Sequence, residues 1–394
     1  MADEEKREKE ELSADGGTRA EERLLYDPLF ETPPDTVIRD TPGKGFFGKA
    51  AVKKTVFVMV LSLFVGVSIA LSFHSLTKPR FKYEDAEGGL MLAEFNAEKT
   101  DAVLEIGPVF REDGAVTEGK TVSVRPFAVC GNETTAYILI GKDVREIPNT
   151  AFYNCSALQA VIVDPANPNY RSEGGVLYRT ENGSPAELML YPARNYLYRA
   201  LLALGEAAPG TAEEARALAK RAAELDGKSG KWLASAEENY PACDASGLSE
   251  SETAALSAAL KYEIPAGVTR IGEMAFAECG TLYEITIPEG VRTFSSMAFF
   301  KCGNLRALRI PDSAEEIGSD AFSYCEKVPY IFIPSGVKQI GHHAFFGCGG
   351  VSEVYMSCGE NDLPDLGQDW LPQRKKLFMH NVPIVYNAER RDGR

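Results

Sequence analysis

The carboxy-terminal part of the chain repeats itself every 23 residues, and this constrains the fold more than any other feature. Four segments align without gaps, beginning at Ile264-Pro265, Ile287-Pro288, Ile310-Pro311 and Ile333-Pro334. Each carries an Ala-Phe pair: Ala275-Phe276, Ala298-Phe299, Ala321-Phe322 and Ala344-Phe345. A cysteine follows three residues later, at Cys279, Cys302, Cys325 and Cys348. Two further apolar columns run through Leu282, Leu305, Val328 and Val351, and through Ile285, Leu308, Ile331 and Val354. An earlier copy keeps the spacing with Ile140, Ile147, Ala151-Phe152, Cys155, Leu158, Val161 and Val163. A weaker copy is read at Phe127 and Cys130, with two extra residues before Ile140. About six rungs result, interrupted between Val163 and Ile264.

One such unit cannot bury its apolar face alone, but stacked units share a continuous core. The segment Tyr283 to Ile287 alternates, so Ile285 and Ile287 face one side of a short strand. Phe299 and Cys302, three apart, are expected on the inner side of a tight helical turn. The ladder so defined comprises Phe152, Cys155, Phe276, Cys279, Phe299, Cys302, Phe322, Cys325, Phe345 and Cys348. Thiols on adjacent rungs fall about 5 Å apart, within disulfide range. Each cysteine nevertheless recurs with its Phe and not in pairs, which reads as a small buried apolar residue. Cys243 and Cys358 lie outside the columns, and a bond between them is left open.

The pattern resembles the BspA-type leucine-rich repeat family, with its motif Ile-Pro-x-x-Val-x-x-Ile-Gly-x-x-Ala-Phe-x-x-Cys-x-x-Leu. Residues 264–282 match it in full; residues 287–305 depart at Phe294-Ser295, where Ile-Gly is expected. Asn167 to Tyr178 and Leu188 to Pro192 look like the hairpin that such proteins insert after a rung. The resemblance covers roughly residues 120–360 and implies an α/β repeat solenoid, curved and right-handed. It also implies surface display and a role in adhesion or protein recognition.

The interruption is rich in Ala, Leu and Glu. Thr211-Ala212-Glu213-Glu214 looks like a capping box opening a helix that runs to Leu225. Ser249 to Leu260 reads as a second helix, and Tyr262-Glu263-Ile264 re-enters the repeat. The plain reading is a surface insertion on one side of the stack; the sharper one is a binding element. After Cys358, the stretches Lys375 to His380 and Val382 to Tyr386 around Trp370 suggest a cap of one or two strands. Asn387 to Arg394 are expected to fray.

The amino-terminal third differs in kind. Residues 1–40 hold 13 acidic and 6 basic side chains and read as a disordered tail. Lys44, Lys49, Lys53 and Lys54 follow without an acid. Thr55 to Phe73 is then 19 residues without a charge, about the length that crosses a hydrocarbon core. The 54 preceding residues argue for an uncleaved anchor and against a signal peptide. The Lys/Arg bias is four against three in favour of a cytoplasmic N-terminus.

The chain is therefore divided into a cytoplasmic tail (1–54), a transmembrane helix (55–76), a linker and N-terminal cap (77–119) and first repeats with hairpin (120–194). A helical insertion (195–260), second repeats (261–358) and a C-terminal cap and tail (359–394) complete it. The net charge of −15 argues against a general nucleic-acid binder. Ligand spacing for a metal is absent, no nucleophile clusters with a His and an acid, and no phosphate loop or cofactor motif is present. No catalytic residue, metal or cofactor is assigned.

The remaining place for function is the outward strand face. One column reads Glu284, Ala307, Tyr330, Glu353, and the next Thr286, Arg309, Phe332, Tyr355. Tyr330, Phe332 and Tyr355 are expected to form an exposed aromatic patch beside Arg309, the usual makings of an interface hot spot. The expected function is non-catalytic recognition of a protein or cell-surface ligand by a single-pass membrane protein whose C-terminal domain is extracytoplasmic. Two alternatives are an envelope spacer and a sensor or regulator acting through the helical insertion.

Overall fold

The computed structural model describes residues 81–95, 102–110, 116–241, 243–371 and 382–389. All of them belong to one compact unit, residues 71–394. The expected tail 1–54 and transmembrane segment 55–76 lie outside the described residues. Among the described residues no helix is long and apolar enough to cross a membrane.

Each rung contributes to two parallel sheets. In one, Lys261–Glu263 pairs with Glu284–Thr286, Glu284 bridges to Ala307, and Tyr330–Ile333 pairs with Glu353–Met356 and then Ile384–Val385. The earlier rungs do the same with Val103–Ile106, Tyr137–Ile140 and Ala160–Val163. The second sheet is built from the x-Ile pairs before the motif glycine: Arg270–Ile271, Thr293–Phe294, Glu316–Ile317, Gln339–Ile340 and Asp365–Leu366. The glycine after each pair has a steric reason. A Cβ on Gly318 would sit 2.7 Å from the Ser295 carbonyl carbon, and one on Gly341 would sit 2.4 Å from the Ser319 nitrogen. The departure at Phe294-Ser295 is absorbed by packing: the Phe294 ring is fully buried, 5.3 Å from that of Phe322.

The expected hairpin is a three-stranded meander, Tyr170–Glu173, Val176–Glu181 and Ser184–Leu190. Its last strand pairs in parallel with Arg270–Ile271. Tyr191 thereby takes the Phe place and stacks on Phe276 at 5.0 Å. The column continues Phe276–Phe299 at 4.6 Å, Phe299–Phe322 at 5.1 Å and Phe322–Phe345 at 5.3 Å, with rings within 10° of parallel. Trp370 closes it edge-on at 6.4 Å. Each stacked pair adds about 0.5–1.5 kcal/mol beyond the burial of its area.

The turn holding Phe and Cys is not helical, except for one 3-10 turn at Asn149–Phe152. It carries two left-handed residues per rung: Met274 and Glu278, Met297 and Lys301, Asp320 and Tyr324. Their φ values lie between 54° and 61°, a conformation that disfavours side chains with a Cβ. Every one of these residues donates its backbone N–H to a carbonyl of the next rung, as Glu278 does to Phe300 at 2.7 Å and Lys301 to Ser323 at 2.8 Å.

This geometry corrects the reading of the first copy. Phe127 is 40% exposed and left-handed, and Cys130 is only half-buried. The ladder places are held by Ala128, Val129 and Asn132, 23 residues before Ala151, Phe152 and Cys155, so no residues are inserted. Val129 N–H donates to Ala151 O, as Phe276 does to Ala298. The fully buried Asn132 stands where later rungs have cysteine, and its Oδ1 accepts the Thr134 and Thr135 N–H groups.

The interruption folds as three helices: α1 (Asn195–Ala203), α2 (Ala212–Asn239) and α3 (Glu250–Ala259). The expected capping box forms, Thr211 with Glu214, and a second opens α3, Ser249 with Glu252. Helix α2 continues 14 residues past Leu225, despite Gly227 and Gly230. Its buried stripe explains this: Ala215, Leu218, Ala222, Leu225, Ser229, Trp232 and Ala236 recur at helical spacing across the glycines.

Phe299→Ala is expected to destabilise the protein by about 3–5 kcal/mol, since it opens a cavity between two stacked rings. Denaturant unfolding followed by circular dichroism measures it; a loss under about 1 kcal/mol contradicts the stacked-column account.

Candidate binding surface

Alternation sends Ile138, Ile140, Val161 and Val163 into the repeat core and turns Tyr137, Leu139, Ala160 and Ile162 outward. That outward face is not open. The helices lie on it, and Tyr137, Ala160 and Tyr283 form one apolar cluster with Leu197, Leu201, Leu218 and Trp232. The insertion is thus part of the core. It is not a surface appendage.

The cover ends at the C-terminus of α2. Arg306 donates to Glu237 O at 2.8 Å and Ala236 O at 3.3 Å, and Lys327 Nζ donates to Glu237 O at 2.5 Å. Cations suit a helix C-terminus, where unsatisfied carbonyls carry partial negative charge. Tyr240 OH donates to Glu284 Oε1 at 2.9 Å, and Lys261 pairs with Glu284 at 2.8 Å. Burial, then Glu284, pushes the Tyr240 phenol above its usual range.

Beyond Glu284 the strand face holds Ala307, Arg309, Tyr330, Phe332, Glu353 and Tyr355. Tyr330 stands opposite Glu353, and Phe332 opposite Tyr355. The Tyr330 and Tyr355 rings meet edge to face at 6.3 Å, and Tyr355 OH donates to the Glu353 carboxylate. The three aromatic residues share a cleft of about 490 Å³ with Val385, Tyr386, Asn387, Ala388 and Glu389.

Two expectations change here. Phe332 is not exposed: it is buried at 7% and forms the floor of the cleft. Arg309 is exposed but does not line the cleft; its guanidinium lies 3.7 Å from Glu289. Asn387 and Ala388 do not fray, because their N–H groups donate to Cys358 O and Met356 O at 3.0 and 2.9 Å. The sequence carried no motif for this wall. Only the alternation of Val382 to Tyr386 announced a strand.

A smaller cleft of about 270 Å³ opens where the cysteine column is interrupted, lined by Phe152, Tyr153, Tyr191, Arg194, Met274 and Glu278 among others. Arg194 there pairs with Asp226 at 2.6 Å.

All eight cysteines are free thiols, Cys243 and Cys358 included. The ladder thiols are hydrogen-bond donors. Cys302, Cys325 and Cys348 donate to the carbonyls of Phe276, Phe299 and Phe322 at 3.0, 3.3 and 3.1 Å. Cys155 donates to Val129 O at 3.1 Å. Burial pushes the Cys155 thiol up to about 12 and those of Cys279, Cys302 and Cys325 well above the usual range, so they are poor nucleophiles. His342 Nδ1 accepts the Gln368 N–H, and His343 lies 3.9 Å from Asp369. Among the described residues no three His, Cys, Asp or Glu side chains gather to hold a metal.

Comparison with known proteins agrees with this architecture. The family model described as the BspA type leucine rich repeat region matches in six copies, over residues 118–173 and 256–365. The matched residues, less than half of the chain, are repeats of that type, and the fold is a leucine-rich repeat. Among solved structures, a leucine-rich repeat protein from Eubacterium ventriosum is 21% identical with a TM-score of 0.38, over 67% of this chain and 48% of that one. This chain thus spans about half of that protein's length. The pneumococcal vaccine antigen PcpA is 12% identical, with a TM-score of 0.40 over 79% of this chain and 93% of that one. A leucine-rich cell surface protein from Faecalibacterium prausnitzii is 15% identical, with a TM-score of 0.31 over 74% and 72%. No curated protein matches the chain.

Iodoacetamide at pH 8 should leave Cys155, Cys279, Cys302, Cys325 and Cys348 unmodified in the folded protein and label them after unfolding in guanidinium. Peptide mass mapping reads this out. Labelling of the native ladder thiols at the rate of an exposed cysteine contradicts their burial.

Proposed function

We propose that this is a membrane-anchored recognition protein without catalytic activity. Residues 1–54 stay in the cytoplasm, residues 55–76 cross the membrane, and the leucine-rich repeats stand outside. The partner is a protein or cell-surface ligand. The observation that carries this reading is the distribution of cover on the outward strand face. The helices bury it over the early rungs, while the last rungs leave a walled cleft with half-buried Tyr330 and Tyr355. Recognition sites favour aromatic anchors in a pocket. The anchor reading rests on the 19 uncharged residues and their basic flank.

Two measurements test it. Intact cells carrying tags at both ends are treated with protease: the C-terminal tag is lost and the N-terminal one survives. Protection of the C-terminal tag inverts the topology. Cells displaying Tyr330→Ser/Tyr355→Ser then attach to protein-coated surfaces at least about fivefold less, at equal surface amounts by antibody labelling. Unchanged attachment leaves the repeats as a spacer.

A further inference from the structure

We infer that Asn182 is a self-modification site: its side chain condenses with the Gly183 backbone nitrogen, loses ammonia and becomes aspartate or isoaspartate. The inference stands apart from the reading of the recognition surface.

The chain holds a single Asn-Gly step, Asn182-Gly183. The reaction needs two atoms to meet, the asparagine Cγ and the nitrogen of the next residue. A Cβ on that residue hinders the approach, and glycine has none. A hydrogen bond from the same N–H withholds the nitrogen. Asn-Gly is also the favoured pair for a two-residue hairpin loop. Here it joins Val176–Glu181 to Ser184–Leu190, with both residues left-handed at φ 52° and 77°.

This turn leaves both partners available. The strand ladder closes at the Glu181–Ser184 pair, so the Gly183 N–H lies outside it. Residues 181–184 are all exposed. The Asn182 side chain makes no hydrogen bond with a described residue. A Cβ built on Gly183 would meet nothing within 4 Å, so the turn has room to bring nitrogen to carbon and to hold a longer product backbone.

Other asparagines are held back by their surroundings. Asn154 and Asn387 share the left-handed φ, at 55° and 53°. Cys155, however, is buried, and the Ala388 N–H donates to Met356 O at 2.9 Å. After Asn239 and Asn361 the next N–H is likewise engaged, by Ala236 O at 3.2 Å and Gly359 O at 3.0 Å. Asn132 and Asn195 are fully buried.

The chemistry needs only water and hydroxide. Hydroxide takes the Gly183 amide proton, and the nitrogen forms a bond to Asn182 Cγ. The Cγ–Nδ2 bond breaks, and Nδ2 leaves as ammonia after taking a proton from water. A second water opens the cyclic imide at one carbonyl or the other. One opening gives aspartate; the other gives isoaspartate, with the main chain running through the side-chain carbon. Either product places a new carboxylate near Arg171, whose guanidinium donates to Gly183 O at 3.4 Å. The hairpin tip therefore grows more acidic as the protein ages.

The test incubates the full chain in detergent micelles at pH 8 and 37 °C and follows each asparagine by peptide mass mapping, with fragmentation that separates isoaspartate from aspartate. Asn182 should convert at least about tenfold faster than any other described asparagine, with isoaspartate in excess. Hydroxylamine, which cleaves cyclic imides, should cut the incubated chain between residues 182 and 183. Native conversion should run within about tenfold of that in guanidinium. Gly183→Ala should slow conversion at least about tenfold in both states; the unfolded chain carries no strain at φ 77°, so its slowing reports the added Cβ alone.

Native conversion slower than that limit overturns the proposal, because the turn then locks the reaction out. So does aspartate formed without isoaspartate or hydroxylamine cleavage, which marks direct hydrolysis. Equal conversion of another described asparagine overturns it too, as does a wild-type rate for Gly183→Ala in guanidinium.

Discussion

The fold depends on contact between one rung's Phe-Cys turn and the next. Each phenylalanine ring lies on its neighbour at 4.6–5.3 Å, and each following cysteine donates to the carbonyl of the preceding ring residue. The two contacts answer different needs. The rings supply buried apolar area, and the thiol adds a second donor to a carbonyl that already accepts the cysteine N–H of its own rung. Serine at that place would donate more strongly but carry a hydroxyl into an apolar interior. Cysteine is small, soft and weakly polar, and it suits a site that is almost dry.

The repeat core was legible from the sequence because one physical requirement recurs in it at fixed spacing. A column with the same residue every 23 places has to be met by stacking, whatever the details of the turn. The first copy shows the limit of that logic. Phe127 and Cys130 offered the right letters two places from the right positions, and Val129 and Asn132 hold the places instead. An asparagine can occupy the cysteine's place by accepting N–H groups of its own loop through Oδ1, so identity misled where spacing did not. The capping box at Thr211 was legible for the same local reason. The end of α2 was not, because its glycines argue for a break and only tertiary burial of Trp232 and Ala236 overrides them.

The outward face was read column by column, correctly as to which residues share it but not as to what covers it. Cover is decided by segments far away in sequence. The helices of residues 195–259 hide the early rungs, and residues 382–389 build a wall at the last ones. Neither carries a repeat signature. Arg306 and Lys327 mark the boundary, since both donate to carbonyls at the end of α2. Removing the whole insertion would bare Tyr137, Leu139, Ala160 and Ile162, so its contribution to stability and any contribution to function are joined in one segment.

The left-handed turn residues give the stack a direction. Each of them donates its N–H forward, from Met274 to Ser296, from Met297 to Ser319, from Tyr324 to Phe346. A rung therefore leans on its C-terminal neighbour to hold two unfavourable backbone conformations, and not on its N-terminal one. Losing a rung from the front leaves behind carbonyls that water can serve. Losing one from the back takes away the carbonyls that hold the two left-handed residues of the rung before it, whose ring and thiol still rest on the rung in front. The two ends of such a stack are therefore not equivalent, and any lineage that lengthens or shortens it has an asymmetric choice of where to cut.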